Sequence, residues 1–149
     1  MAQSPPLPPP STGLRILFAS SEAQPLIKTG GLADVAGSLP AALRQYGHDT
    51  RLIIPAYPRA VKLSEARSPL CTLDIPGTRD QVRILEGTQP GAGLTVYLVD
   101  APRYFCRDGN PYMDANGHDW SDNADRFALF CRAVAELALG RCALQWLSL

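Results

Sequence analysis

The chain has 149 residues, enough for one domain with a hydrophobic core of its own. Apolar residues make up 46% and charged residues 19%, the ordinary balance of a soluble globular protein. Fourteen basic side chains cancel fourteen acidic ones, which excludes nucleic acid and anionic membrane as bulk electrostatic partners, and no apolar run approaches the ~20 residues that span a bilayer.

Residues 1–13, MAQSPPLPPPSTG, hold five prolines and neither a helical nor a strand period, as expected for a disordered or polyproline leader. They lack the basic start and continuous apolar centre of a signal peptide, and the Arg and Ser content of a transit peptide. Residues 14–19, LRILFA, are a short apolar run in which Arg15 is the single charge, predicting a parallel strand covered on both faces. From Leu32 the period becomes helical, and Leu32, Val35, Ala36, Leu39, Leu43 and Tyr46 are expected to form one apolar face. Pro40 removes one hydrogen bond late in this helix and predicts a bend, and Gly47 sits where a helix ends in a left-handed residue. Residues 50–54 form a second apolar run, stopped by Pro55. A strand, helix and strand this short connect as a right-handed parallel crossover, a βαβ unit.

The loop before the first helix is the expected seat of chemistry, because ligands of open α/β sheets bind beyond the carboxyl ends of the strands. Gly30 and Gly31 let a ligand approach backbone N–H groups that open a helix, and Lys28 adds a full positive charge two residues earlier. This suits a phosphate or pyrophosphate. It is neither a Walker loop, since the lysine precedes the glycines, nor a G-x-G-x-x-G. The plainer reading is a tight strand-to-helix turn beside a solvated lysine. Glu22 and Asp34 have the character of a carboxylate acid/base pair, although Asp34 at a helix start is also simply favoured by the dipole.

Residues 59–69 read as a polar connection or short helical turn. Three strand-like segments follow, 70–75, 81–86 and 94–99, separated by Pro76-Gly77 and by Pro90-Gly91-Ala92-Gly93. Such turns join antiparallel neighbours, so a β-meander is expected beside the parallel strands. Residues 103–120 form a long polar loop, of the kind that is usually functional. Within it Tyr112 offers a flat face and a phenolic O–H to a sugar or adenine, or packs to pin the loop. Ser121 is the expected N-cap of a second helix whose apolar stripe is Phe127, Phe130, Cys131, Val134 and Ala138, ending at Gly140. Cys71, Cys106, Cys131 and Cys142 have no paired metal spacing and are expected as reduced, mostly buried thiols. His48 and His118 complete neither a triad nor a zinc site.

Several of these residues carry a family resemblance. Ser21-Glu22 with Lys28-Thr29-Gly30-Gly31-Leu32-Ala33-Asp34-Val35 resembles the amino-terminal signature of bacterial glycogen synthases and plant starch synthases, retaining glucosyltransferases that use a nucleotide sugar. The likeness continues through Leu39-Pro40, Gly47-His48 and Pro55-Ala56-Tyr57-Pro58. It takes in Arg107, Gly109, Pro111, Tyr112 and Asp114, an Arg-x-Gly-x-Pro-Tyr-x-Asp pattern, then Asp122-Asn123 and Arg126-Phe127. His118-Asp119-Trp120 spells a string of the family's active site, but it precedes the second helix whereas the family's follows it. It is read as coincidence.

The resemblance covers residues 14–140 and leaves 141–149 as a tail unlike the family. It implies an α/β fold, the Rossmann-like amino-terminal part of a two-domain GT-B glycosyltransferase. It also implies transfer of glucose from ADP-glucose to the non-reducing end of an α-1,4-glucan, in the cytoplasm, without metal or prosthetic group. Lys28, Gly30 and Gly31 would hold the phosphates, with Asp34, Glu22 and Tyr112 on the sugar or acceptor side. The main catalytic and base-binding residues are expected beyond Leu149, so the 149 residues alone are expected to be inactive. A non-enzymatic glucan- or nucleotide-binding module, or another βαβ nucleotide-binding phosphotransferase, is the alternative.

Overall fold

The computed structural model describes residues 13–78 and 80–142. The expected leader and tail therefore lie outside the described residues, apart from Gly13, Arg141 and Cys142. Five strands form one sheet: β1 (Arg15–Ala19), β2 (Asp49–Pro55), β3 (Pro69–Leu73), β4 (Val82–Thr88) and β5 (Thr95–Asp100), in the order β1-β2-β5-β4-β3. Four helices accompany them: α1 (Gly31–Gln45), α2 (Pro58–Leu63), α3 (Pro102–Phe105) and α4 (Asn123–Ala138). β1 pairs β2 in parallel and β2 pairs β5 in parallel, whereas β4 runs antiparallel to both β5 and β3. The βαβ unit and the attached meander are both present. Every predicted strand exists, with ends displaced by at most two residues.

The core lies under the middle strands. Leu52, Ile53 and Ile54 of β2, and Val96, Tyr97, Leu98 and Val99 of β5, are fully buried. These unbroken apolar runs, mostly of β-branched side chains, suit strands covered on both faces. β1, at the edge, buries its residues only partly.

α1 ends as its sequence predicts. Gly47 takes φ +89°, its N–H donates to Arg44 O at 3.0 Å, and the His48 N–H donates to Leu43 O at 3.2 Å. This pair of bonds closes the last turn of the helix. Pro40 is accommodated inside the one helix.

The buried face of α1 differs from the predicted one. Ala33, Ala36 and Pro40 point inward, while Leu32, Val35, Leu39 and Tyr46 are exposed. The reason is close packing of backbones. A Cβ at Gly37 would lie 2.6 Å from Gln24 O, and the Gln89 Nε2 donates at 2.8 Å to both Gln24 O and Gly37 O. Only small side chains fit between a helix and a loop held this tightly, so the large ones turn outward.

The stripe of α4 is also rotated. Arg126, Leu129, Phe130, Ala133 and Leu137 are buried, whereas Cys131 and Ala138 of the expected stripe are exposed. The N-cap position falls on Asp122 rather than Ser121, and the Asp122 carboxylate takes no capping bond. It accepts two hydrogen bonds from Arg107 instead, at 2.8 and 2.6 Å.

The cysteines depart furthest from expectation. Cys71 and Cys142 form a disulfide, and the two free thiols, Cys106 and Cys131, are exposed. A pairing over 71 residues leaves no local spacing to recognise; the topology creates it by laying the end of α4 on β3.

Candidate functional site

The predicted site residues converge at the carboxyl end of β1. Gly30 occupies the N-cap of α1 in extended conformation, without a side-chain cap, and Gly31 is the first helical residue. A Cβ built on Gly31 meets no atom within 4 Å, so the helix opens onto free space. Among the described residues no acceptor meets the Gly30, Gly31 or Leu32 N–H groups. Unfilled donors at a helix start are the backbone half of an anion site.

Glu22 fixes this opening from beneath. It is 2% exposed, and its Oε2 accepts from the Thr29 N–H at 2.6 Å and the Thr29 Oγ1 at 2.7 Å. Its Oε1 lies 3.9 Å from where a Gly30 Cβ would stand. The carboxylate is therefore committed to the loop carrying the glycines.

Lys28 stands at the rim, paired with Asp34 at 2.6 and 2.8 Å and with Gln24 Oε1 at 3.4 Å. The Lys28 and Asp34 side chains are 47% and 52% exposed, so the pair is solvated and weak. Glu22 and Asp34 differ sharply in environment, one buried and bonded, the other in water.

Tyr112 closes the site from the distant loop. Its hydroxyl lies 2.7 Å from the Ser21 Oγ, and its ring packs on Phe127 at 5.8 Å between centroids. The loop is not structureless. The Asp114 N–H donates to His118 O at 2.8 Å, and Asp114 Oδ1 accepts from the Asn116 and His118 N–H groups. These N–H groups hold the Asp114 carboxyl below its ordinary range, the His118 N–H contributing most. His118 itself is exposed, with its Nδ1 3.8 Å from Asp114 Oδ2.

Arg126 underlies this arrangement, and sequence reasoning placed it only within a family match. It is 1% exposed and donates from Nε to Tyr104 O at 2.7 Å, and from Nη1 to Pro111 O at 2.9 Å and Asn123 Oδ1 at 2.7 Å. Asn123 Nδ2 in turn donates to Tyr112 O at 2.9 Å. Burial lowers the affinity of Arg126 for its proton. Beside it the Tyr57 hydroxyl is buried without a partner among the described residues, and burial pushes its ionisation far upward, with lesser help from Tyr112 and Glu22 and opposition from Arg126. An aromatic at Tyr57 was legible as part of a strand stop; its hydroxyl was not.

A family model described as the starch synthase catalytic domain matches residues 15–147. The chain belongs to that family. The glycogen synthase of Thioalkalivibrio sulfidiphilus is 51% identical over 134 residues, 89% of this chain and 28% of that protein. That of Granulibacter bethesdensis is 53% identical over 127 residues, 85% of this chain and 26% of that protein. Among solved structures, the catalytic domain of starch synthase IV from Arabidopsis thaliana, bound to ADP and acarbose, superposes with a TM-score of 0.66 at 29% identity. That alignment covers 87% of this chain and 26% of the plant chain. The family member described here thus spans about a quarter of the length of the relatives it matches. Its sheet is the Rossmann-like, amino-terminal part of the GT-B fold. Among the described residues there is no cluster of three metal-ligating side chains, and no helix is long and apolar enough to cross a membrane.

Proposed function

We propose that this chain forms the donor-phosphate side of a glycogen or starch synthase, transferring glucose from ADP-glucose to the non-reducing end of an α-1,4-glucan with retention. The open start of α1 at Gly30 and Gly31, with Lys28 at its rim, carries the reading. In this proposal the backbone N–H groups and Lys28 hold the diphosphate and stabilise the charge that gathers on the departing ADP. Lys28 exchanges Asp34 for phosphate as the donor arrives, leaving Asp34 free to face the sugar. Tyr112 lines the sugar or acceptor side, and Glu22 serves that side from beneath by fixing Thr29. Neither metal nor prosthetic group takes part, and the cytoplasm is the proposed compartment. The names of the relatives, and the ADP and acarbose of the plant structure, support both substrate classes.

Titration calorimetry with ADP-glucose tests this directly. Lys28→Ala should weaken binding at least about tenfold, roughly 1.4 kcal/mol, the modest end for a charged phosphate contact. Unchanged affinity would refute the phosphate role. Preference for ATP over ADP-glucose would favour a phosphotransferase instead.

A further inference from the structure

A disulfide joins Cys71, on β3, to Cys142, just beyond the end of α4. Cys71 belongs to β3, the outermost strand of the meander, hydrogen-bonded only to β4. Cys142 follows Gly140, whose φ of +74° turns the chain after α4. Their Cα atoms are 6.1 Å apart, within the span a disulfide bridges without backbone movement. Apart from this bond, α4 is held by buried Leu129 and Phe130 at its middle, by buried Ala133 and Leu137 in its carboxyl half, and by an exposed hydrogen bond from Arg132 Nη1 to Pro76 O. Its amino end carries Asp122, Asn123 and Arg126, which hold the loop of Tyr112.

We propose that Cys71–Cys142 is a reversible thiol–disulfide staple, whose reduction frees the carboxyl end of α4 and residues 139–142 from β3. The two sulfurs are unequally reachable, since Cys71 is partly buried on an edge strand and Cys142 is 3% exposed. The co-reactant is a low-molecular-weight thiol. Its thiolate attacks the Cys71 Sγ, the S–S bond breaks, and the electron pair leaves on the Cys142 Sγ, which takes up a proton. A second thiolate attacks the outer sulfur of the mixed disulfide and releases Cys71, which is protonated in turn. Two external thiols become one disulfide, and one protein disulfide becomes two thiols. The reverse reaction uses the same small-molecule disulfide as oxidant. Because the closed loop spans 71 residues of sequence, opening it restores much conformational freedom to the unfolded chain.

The 149-residue chain, purified without reductant and digested after alkylation, should yield one cross-linked peptide joining Cys71 to Cys142, with Cys106 and Cys131 alkylated. Graded mixtures of reduced and oxidised glutathione should then convert it reversibly between two and four reactive thiols. Full reduction should lower Tm by about 10 °C, and hydrogen exchange should rise first in residues 133–139 and in β3. Cys71→Ala/Cys142→Ala should match the reduced protein and ignore added thiol, while Cys131→Ala keeps the full response. If the double variant does not fold, reduced and alkylated wild-type protein gives the same comparison. Alkylation of Cys71 and Cys142 without reductant, failure of the bond to re-form, or an unchanged Tm on reduction would each overturn the proposal.

Discussion

The Tyr112 hydroxyl lies 2.7 Å from the Ser21 Oγ, although 91 residues separate them. This bond ties the loop before α4 to the loop before α1, so the wall and the glycine opening of the site share one support. A neutral hydrogen bond of this kind contributes about 1 kcal/mol net. Tyr112→Phe and Ser21→Ala should each destabilise by about that amount in urea unfolding. The double variant should lose little more than either alone. Strict additivity would show that the two hydroxyls are uncoupled.

Arg126 makes the strongest demand on the fold. Its three acceptors, Tyr104 O, Pro111 O and Asn123 Oδ1, are left unmatched if the guanidinium is removed. Arg126→Met keeps the apolar stem but strands those oxygens, and a loss of about 3 kcal/mol is expected. Equilibrium unfolding measures it, and a loss below about 1 kcal/mol would mean that water replaces the guanidinium at little cost.

These two contacts mark the limit of what the sequence disclosed. The βαβ unit was legible because apolar runs and a helical period are local, as was the Gly47 stop. Partners of Tyr112 were not legible, since a 91-residue separation carries no period. The stripe on α1 misled for a definite reason: periodicity finds the larger apolar side chains, and here the tightly packed inner side selects Ala33, Ala36 and Pro40. Arg126 was hidden by its charge, because a basic residue in a helix ordinarily signals the solvent side. The paired Cys71 and Cys142 were invisible to any test of short spacing.

Arg107 and Asp122 predict a pH dependence. The bidentate contact from Arg107 is the main cause that lowers the Asp122 carboxyl below its ordinary value of 3.8. A depressed folded value means stability that is fully present above the unfolded value and is lost as pH falls through the folded one. Arg107→Met should therefore cost about 1 kcal/mol near pH 7. The gap to wild type should close as the pH drops below about 4. A gap that stays constant down to pH 2 in urea titrations would place the loss in packing against Trp120, over whose ring the Arg107 guanidinium sits at 5.0 Å.

Two glycines of α1 separate ligand space from packing space. Gly37 has Gln24 O 2.6 Å from its would-be Cβ, so Gly37→Ala must push backbone apart. A clash with backbone lies toward the top of the about 1–3 kcal/mol that overpacking costs, and so outweighs the ~1 kcal/mol that alanine gains in a helix interior. Gly31 has no such neighbour and is the first residue of the helix, so Gly31→Ala should leave Tm unchanged or slightly raised. If the space over Gly31 receives the diphosphate, the added methyl stands where phosphate oxygens approach the backbone. ADP-glucose binding by Gly31→Ala should then fall about tenfold or more while stability holds, roughly 1.4 kcal/mol of binding alone. Paired calorimetric titration and thermal melts of the two variants read both effects. Full affinity in Gly31→Ala would move the phosphates away from this helix start.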